Sequence, residues 1–258
     1  MTKLKHTFKT DTLFKILFVK YPDLLKHLIA QLLGITPESI SEFAVTNADT
    51  PPETYGEKFC RLDVNMLVDG QRVDLEVQVD DEGDYKERSL YYWARAYSSA
   101  LSEGGKYNEL PRAIIISIVN FALFDCEEYH SEFRLLEVTR RAPLTDKQVL
   151  HFFELPKLPD KLSKDDGRNL WLALFKADTE EDLARIKALE VPIMEQAINA
   201  YHTVVVSPEF AEAERLRSRA RHDEAQALWN AERKANEKWQ GVVAEKDALI
   251  AELRAQLE

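Results

Sequence analysis

The chain has 258 residues, 45% of them hydrophobic and 31% charged, enough for one sizeable core plus an appendage. Only two cysteines, Cys60 and Cys126, argue against a disulfide-stapled secreted scaffold and suit a cytoplasmic protein. The net charge of −11 opposes a nucleic-acid partner at long range, so binding DNA requires a local basic patch or a bound metal.

The N-terminal stretch DTLFKILFVKYPDLLKHLIAQLLG predicts two helices. Asp11 is placed to cap the first, whose apolar face is Leu13, Phe14, Leu17 and Phe18. Pro22 opens the second, and Gly34 ends it. The lysines at the start precede no uninterrupted apolar core, so a signal peptide is not expected. Phe43 to Thr46 predicts a short strand, and Pro51-Pro52-Glu53 a loop.

Phe59 to Val79 alternates polar and apolar residues on both sides of Asp69-Gly70, the pattern of a β-hairpin with a tight turn. With Asp69 and Gly70 central, Met66 meets Val73, Val64 meets Leu75 and Leu62 meets Val77 on one apolar face. On the other face Asn65 meets Asp74, Asp63 meets Glu76 and Arg61 meets Gln78. A slip of one residue would set polar against apolar along the whole ladder.

This register places two carboxylates, Asp63 and Glu76, opposite each other. Like charges so placed repel by roughly 3 kcal/mol at ~5 Å and an effective dielectric of ~20. A hard divalent cation would relieve that repulsion. The alternative is a pair of ordinary solvated strand carboxylates, neutralised by Arg61 and Arg72.

Asp80 to Asp84 predicts a turn, and Tyr85 to Ser102 a helix on which Arg88, Tyr91, Tyr92 and Arg95 share one side. Pro111 to Phe124 contains a β-branched run that predicts a strand buried on both faces. Its apolar part, Ala113 to Val119, is too short to span a bilayer. Phe133 to Val138 and Val149 to Leu155 predict two further strands. Pro156 and Pro159 mark a break, after which the chain reads as helix. From Ala211 onward there is no proline and one glycine, and Val243, Ile250 and Leu257 recur every seven residues with Leu253 between them. That pattern fits either a short coiled coil or a solvated single helix.

The ordered residues Asp11-x-x-Phe14-Lys15-x-x-Phe18, Arg61-Leu62-Asp63-Val64, Glu76-Val77-Gln78, Arg88-Ser89-Leu90-Tyr91-Tyr92 and Gly105-Lys106-Tyr107 resemble the PD-(D/E)XK nuclease superfamily. More narrowly, they are similar to its transposases of the recombination-promoting nuclease type. The resemblance covers residues 8 to 125. It implies an α/β fold, a restriction-endonuclease-like αβββαβ core with an all-helical C-terminal extension. The expected divisions are a nuclease-like domain at 1–157, a helical subdomain at 158–210 and a helical arm at 211–258.

The resemblance further implies Mg²⁺- or Mn²⁺-dependent cleavage of DNA, linked to recombination or transposition. Asp63, Glu76 and the main-chain carbonyl of Val77 would be the metal ligands. Asp63, Glu76 and Gln78 would be the catalytic set. Gln78 stands where the superfamily usually has lysine, and an amide neither carries charge nor acts as a general base. Arg61, Arg88 and Tyr92 are candidate DNA contacts, although Arg88 suits an ion pair with Glu82 or Asp84 equally well, and the helix aromatics suit a core. The partners expected are DNA and, through the arm, further copies of the chain, with no membrane. A protein of a different class also fits: a catalytically weak oligomeric module that binds DNA or protein. The six histidines show no metal-ligand spacing, and neither a Gly-rich phosphate loop nor a nucleophile elbow occurs.

Overall fold

The computed structural model describes residues 2–46, 49–50, 60–61, 64–101 and 104–255. It divides into two compact units, Met1–Ser207 and Pro208–Glu258. The first is a mixed α/β unit built on a six-stranded sheet. Its strands are β1 (Phe43–Thr46), β4 (Val64–Val68), β5 (Gln71–Gln78), β6 (Ala113–Val119), β7 (His130–Phe133) and β8 (Gln148–Glu154), in spatial order β1-β4-β5-β6-β8-β7. A separate two-stranded ribbon joins β2 (Asp49–Thr50) to β3 (Cys60–Arg61).

The β4–β5 hairpin has the register that the alternation predicts: Val64 opposite Leu75, Asn65 opposite Asp74 and Met66 opposite Val73. The turn works because Asp69 and Gly70 both adopt positive φ, 47° and 74°. Asp69 also ties the outer strand to the hairpin. Its Oδ1 accepts from the backbone N–H of Ser41 (2.9 Å) and of Glu42 (2.8 Å), just before β1. Beyond Val64 the expected ladder runs onto positions 62 and 63, which lie outside the described residues. Arg61 is found in the ribbon, paired with Asp49.

β5 also pairs in parallel with β6, and β6 in parallel with β8. The sheet therefore has two covered faces. One carries Asp74, Glu76, Ile115, Ser117, Val119, Leu150 and Phe152 and lies beneath α3 (Tyr85–Ser98), whose Tyr85 and Trp93 pack on it. Trp93 Nε1 fixes the seating by donating to the Ala113 carbonyl at 3.1 Å. The other face carries Val73, Leu75, Ile114, Ile116 and Ile118, all buried.

A layer of helices completes this unit: α1 (Asp11–Lys20), α2 (Pro22–Leu33), α4 (Gly167–Lys176), α5 (Glu180–Lys187) and α6 (Pro192–Val205). Phe8, Phe14, Phe18, Trp171, Phe175 and Tyr201 interlock at ring separations of 4.9 to 6.4 Å. Trp171 donates to His27 Nδ1 at 2.9 Å, and Tyr201 to the His6 carbonyl at 2.7 Å. The second unit is a single helix, α7 (Pro208–Ala255), on which Trp229, Trp239, Val243 and Ile250 are exposed. Among the described residues no helix is long and apolar enough to cross a membrane.

Four boundaries differ from those expected. Asp11 is the first residue of α1 rather than its cap; Thr10 takes the cap position, and Asp11 pairs with Lys15 at 3.3 Å. α3 stops at Ser98, where the hydroxyls of Ser98 and Ser99 turn back onto the carbonyls of Arg95 and Ala96. β6 stops at Val119, and beyond it the backbone N–H groups of Leu123 and Phe124 donate to the buried Glu154 carboxylate. The expected strand at 133–138 lies instead at 130–133. The chain after it folds on itself, Glu137 N–H to Ala142 O and Leu144 N–H to Leu135 O.

Asp69→Ala removes both bonds to the β1 lead-in and a side chain that tolerates positive φ, and is expected to destabilise the protein by about 2 kcal/mol. Asp69→Asn retains an acceptor and the turn preference and should cost less than about 1 kcal/mol. Urea unfolding of the two variants checks the ranking.

Candidate active site

β5 alternates apolar and charged residues in the middle of the sheet, and α3 lies over the face that carries its two carboxylates. Asp74 and Glu76 are each only 5% exposed. They project from the same face, and Ser117 of β6 lies opposite Glu76. After β5 the acidic segment Asp80–Asp84 turns the chain with Gly83 at φ 83°, its N–H held by Asp81 Oδ1 at 2.9 Å. That turn brings the start of α3 back over the strand.

Tyr85, the first residue of α3, is buried, and its hydroxyl donates to Glu76 Oε2 at 3.2 Å. One turn along, Arg88 places Nη2 3.7 Å from Glu76 Oε1 and donates from Nη1 to Glu82 Oε2 at 3.1 Å. Its guanidinium also lies 4.8 Å from the centre of the Tyr85 ring. The two oxygens of Glu76 thus meet different partners from the same helix. Arg72, on the Asp74 side, donates to Ser99 Oγ at 2.9 Å and to the Ala96 carbonyl at 3.3 Å, which ties the far end of α3 to β5.

Burial pushes Glu76 up to about 7, against the opposing pull of Arg88 and the Tyr85 hydrogen bond. Burial pushes Asp74 up to about 7 as well, opposed by Arg72 and reinforced by the charge of Glu76. The Tyr85 phenol is raised well above its ordinary value, first by burial and then by Glu76. Oxygen donors held dry in this way fit a hard cation, which would offset their desolvation. Among the described residues no three His, Cys, Asp or Glu side chains converge on a common metal position.

The residues singled out in the sequence are distributed unevenly. Asp63 lies outside the described residues. Glu76 is buried on β5, with Val77 and Gln78 half-buried after it. The Gln78 amide donates from Nε2 to the Asp80 carbonyl at 2.8 Å. Arg88 joins Glu76 and Glu82, whereas the ion pair considered with Asp84 is replaced by a backbone bond from Arg88 N–H to the Asp84 carbonyl. Tyr92 is 9% exposed, and the neighbouring Tyr91 45%.

Sequence reasoning missed Tyr85 and the full burial of Asp74. The Asp74-x-Glu76 spacing shows that the two carboxylates share a face. A tyrosine opening the helix after a short acidic turn was the available signal for their cover.

A family model described as PD-(D/E)XK nuclease family transposase matches residues 8–231. No curated protein and no solved structure matches the chain.

Because their native values lie above the ordinary ones, Asp74 and Glu76 hold more protons folded than unfolded between about pH 4 and 7. Their contribution to stability is therefore full at low pH and is lost as pH rises through about 7. His151, lowered by burial to about 4, acts in the opposite direction, so the informative quantity is a difference between proteins. In metal-free urea unfolding, Asp74→Asn and Glu76→Gln are each expected to gain on the unsubstituted protein by roughly 2–4 kcal/mol between about pH 5 and 8. Parallel curves would refute the burial of these carboxylates.

Proposed function

This chain belongs to the PD-(D/E)XK nuclease family transposases, and from that premise we propose that it is a divalent-metal-dependent DNA endonuclease linked to recombination or transposition. The observation that carries the proposal is Glu76, a buried carboxylate on the central hairpin with one oxygen fixed by Tyr85. In this reading α1–α2, β1, β4, β5, α3 and β6 make up the αβββαβ core, within a nuclease-like domain at 1–157. Residues 158–210 form a helical subdomain and 211–258 an arm.

Asp63, Glu76 and the Val77 carbonyl would hold Mg²⁺ or Mn²⁺, which polarises a scissile phosphate and makes a bound water more acidic. Tyr85 keeps the Glu76 carboxylate in one orientation, so its ligand geometry does not have to be assembled on binding. Gln78, with Nε2 held by the Asp80 carbonyl, presents its amide oxygen as an acceptor that orients a water. It supplies no positive charge, so any transition-state charge compensation from protein must come from a cationic side chain. Arg88 stands nearest to Glu76 for that role, and Arg61 is a further candidate for phosphate contact. Of the two neighbouring tyrosines considered for base stacking, Tyr91 has the more exposed ring and Tyr92 suits the core better.

The second reading, a weakly catalytic DNA-binding or protein-interaction module, is favoured by Gln78 and by the net charge of −11. Plasmid cleavage decides between them. Cutting is expected only with Mg²⁺ or Mn²⁺; Asp63→Ala and Glu76→Ala should abolish it, and Gln78→Lys should retain it. Undiminished cutting by Asp63→Ala would rule out the proposed ligand set.

The arm is proposed to join copies of the chain through Val243, Ile250 and Leu257. Val243 and Ile250 are exposed on α7. A chain ending at Ser207 should keep its cooperative melt but show a smaller number of copies per particle by light scattering. An unchanged number would place self-association elsewhere.

A further inference from the structure

Arg88 makes two unequal contacts. To Glu82 it makes a hydrogen bond of 3.1 Å; to Glu76 it makes only a charge contact, 3.7 Å from Oε1. Glu82 is on the exposed acidic turn, its side chain 65% accessible, whereas the Glu76 side chain is 6% accessible. Tyr85 binds the other oxygen of Glu76, which leaves Oε1 as the oxygen that Arg88 approaches. The guanidinium rests 4.8 Å from the Tyr85 ring centre, a surface along which it can shift without leaving its aromatic contact.

We propose that Arg88 is the resident counter-ion of Glu76, holding Oε1 in place of a divalent cation and passing to Glu82 when that cation binds. The proposal rests on the metal-site reading given above and extends it to a residue outside the ligand set. A buried carboxylate without a partner is costly, and a guanidinium beside it offsets part of that cost. A guanidinium and a divalent ion at one oxygen repel each other, so Arg88 lowers metal affinity while it protects the metal-free site. Glu82 determines how readily Arg88 moves, because it already holds the other half of the fork. Once displaced, Arg88 carries its charge at the rim of the site, where a phosphate would approach.

The test is calorimetric titration of the full chain with Mn²⁺ alone at pH 8.5. Arg88→Gln is expected to bind Mn²⁺ roughly 5- to 10-fold more tightly, since about 1.4 kcal/mol corresponds to tenfold. Glu82→Gln, an exposed change, should weaken binding roughly threefold, a shift of about 0.65 kcal/mol at RT of about 0.59 kcal/mol. Asp81→Asn removes the same charge from the same turn but contacts the Gly83 N–H rather than Arg88, and should weaken binding less than Glu82→Gln does. Equal effects of Glu82→Gln and Asp81→Asn would overturn the proposal, as would unchanged or weaker binding by a folded Arg88→Gln. If Arg88→Gln fails to fold, the Glu82 and Asp81 pair decides. Absence of Mn²⁺ binding by the unsubstituted protein would overturn the metal site itself and the counter-ion role with it.

Discussion

The first unit depends on how α3 covers the charged side of β5. A strand with Asp74 and Glu76 on one face is ordinarily an edge strand or one with a wet face. Here β4 and β6 flank it on both sides, and both faces are buried. Dry carboxylates cost several kcal/mol each, and partners offset that cost only in part. α3 provides partners at its two ends: Tyr85 and Arg88 reach Glu76, while Arg72 crosses from β5 to the carbonyls and hydroxyl near Ser99. Its middle supplies Trp93 to the apolar part of the same face. Helix position, sheet closure and carboxylate environment are therefore one constraint.

The hairpin was legible in the sequence because both determinants of its register are local. Asp69-Gly70 fixes the turn through two positive φ values, and alternation fixes which side chains share a face. The burial of that face was not legible, since alternation reads the same whether the polar side meets water or a helix. The contact of Tyr85 and Arg88 with Glu76 spans the 80–84 turn and depends on the angle at which the chain leaves it. No periodicity encodes that angle. The misplaced strand at 133–138 has a similar cause: Phe133, Leu135 and Val138 suit a strand by composition, but backbone bonds between 135–137 and 142–144 close a tight fold there.

The helices after Pro159 illustrate the same limit at longer range. Their amphipathic pattern shows that each buries one side but does not say against what. In the structure Trp171 and Phe175 of α4 and Tyr201 of α6 interlock with Phe8, Phe14 and Phe18, more than 150 positions earlier in the chain. The polar tips of Trp171 and Tyr201 also find acceptors in the N-terminal region, His27 and the His6 carbonyl. The N-terminal helices are thus held from behind by segments that the proline break had set apart.

The acidity of the chain bears directly on the proposed chemistry. Asp80, Asp81, Glu82 and Asp84 crowd the turn beside Glu76, and only Arg88 among the described side chains is shown crossing from α3 to both that turn and the strand. A phosphodiester approaching this region meets negative charge from Glu76 and the turn together, within a molecule of net charge −11. Repulsion of that kind is strongest where water is excluded. On the proposed function, a divalent cation at Glu76 would change the local charge by two, and displacement of Arg88 would bring a further positive group to the rim. Phosphate binding would then be coupled to cation binding by electrostatics alone, with no hinge or lid required. The absence of a lysine at position 78 fits that arrangement, because a fixed charge there would attract phosphate whether or not the cation was present.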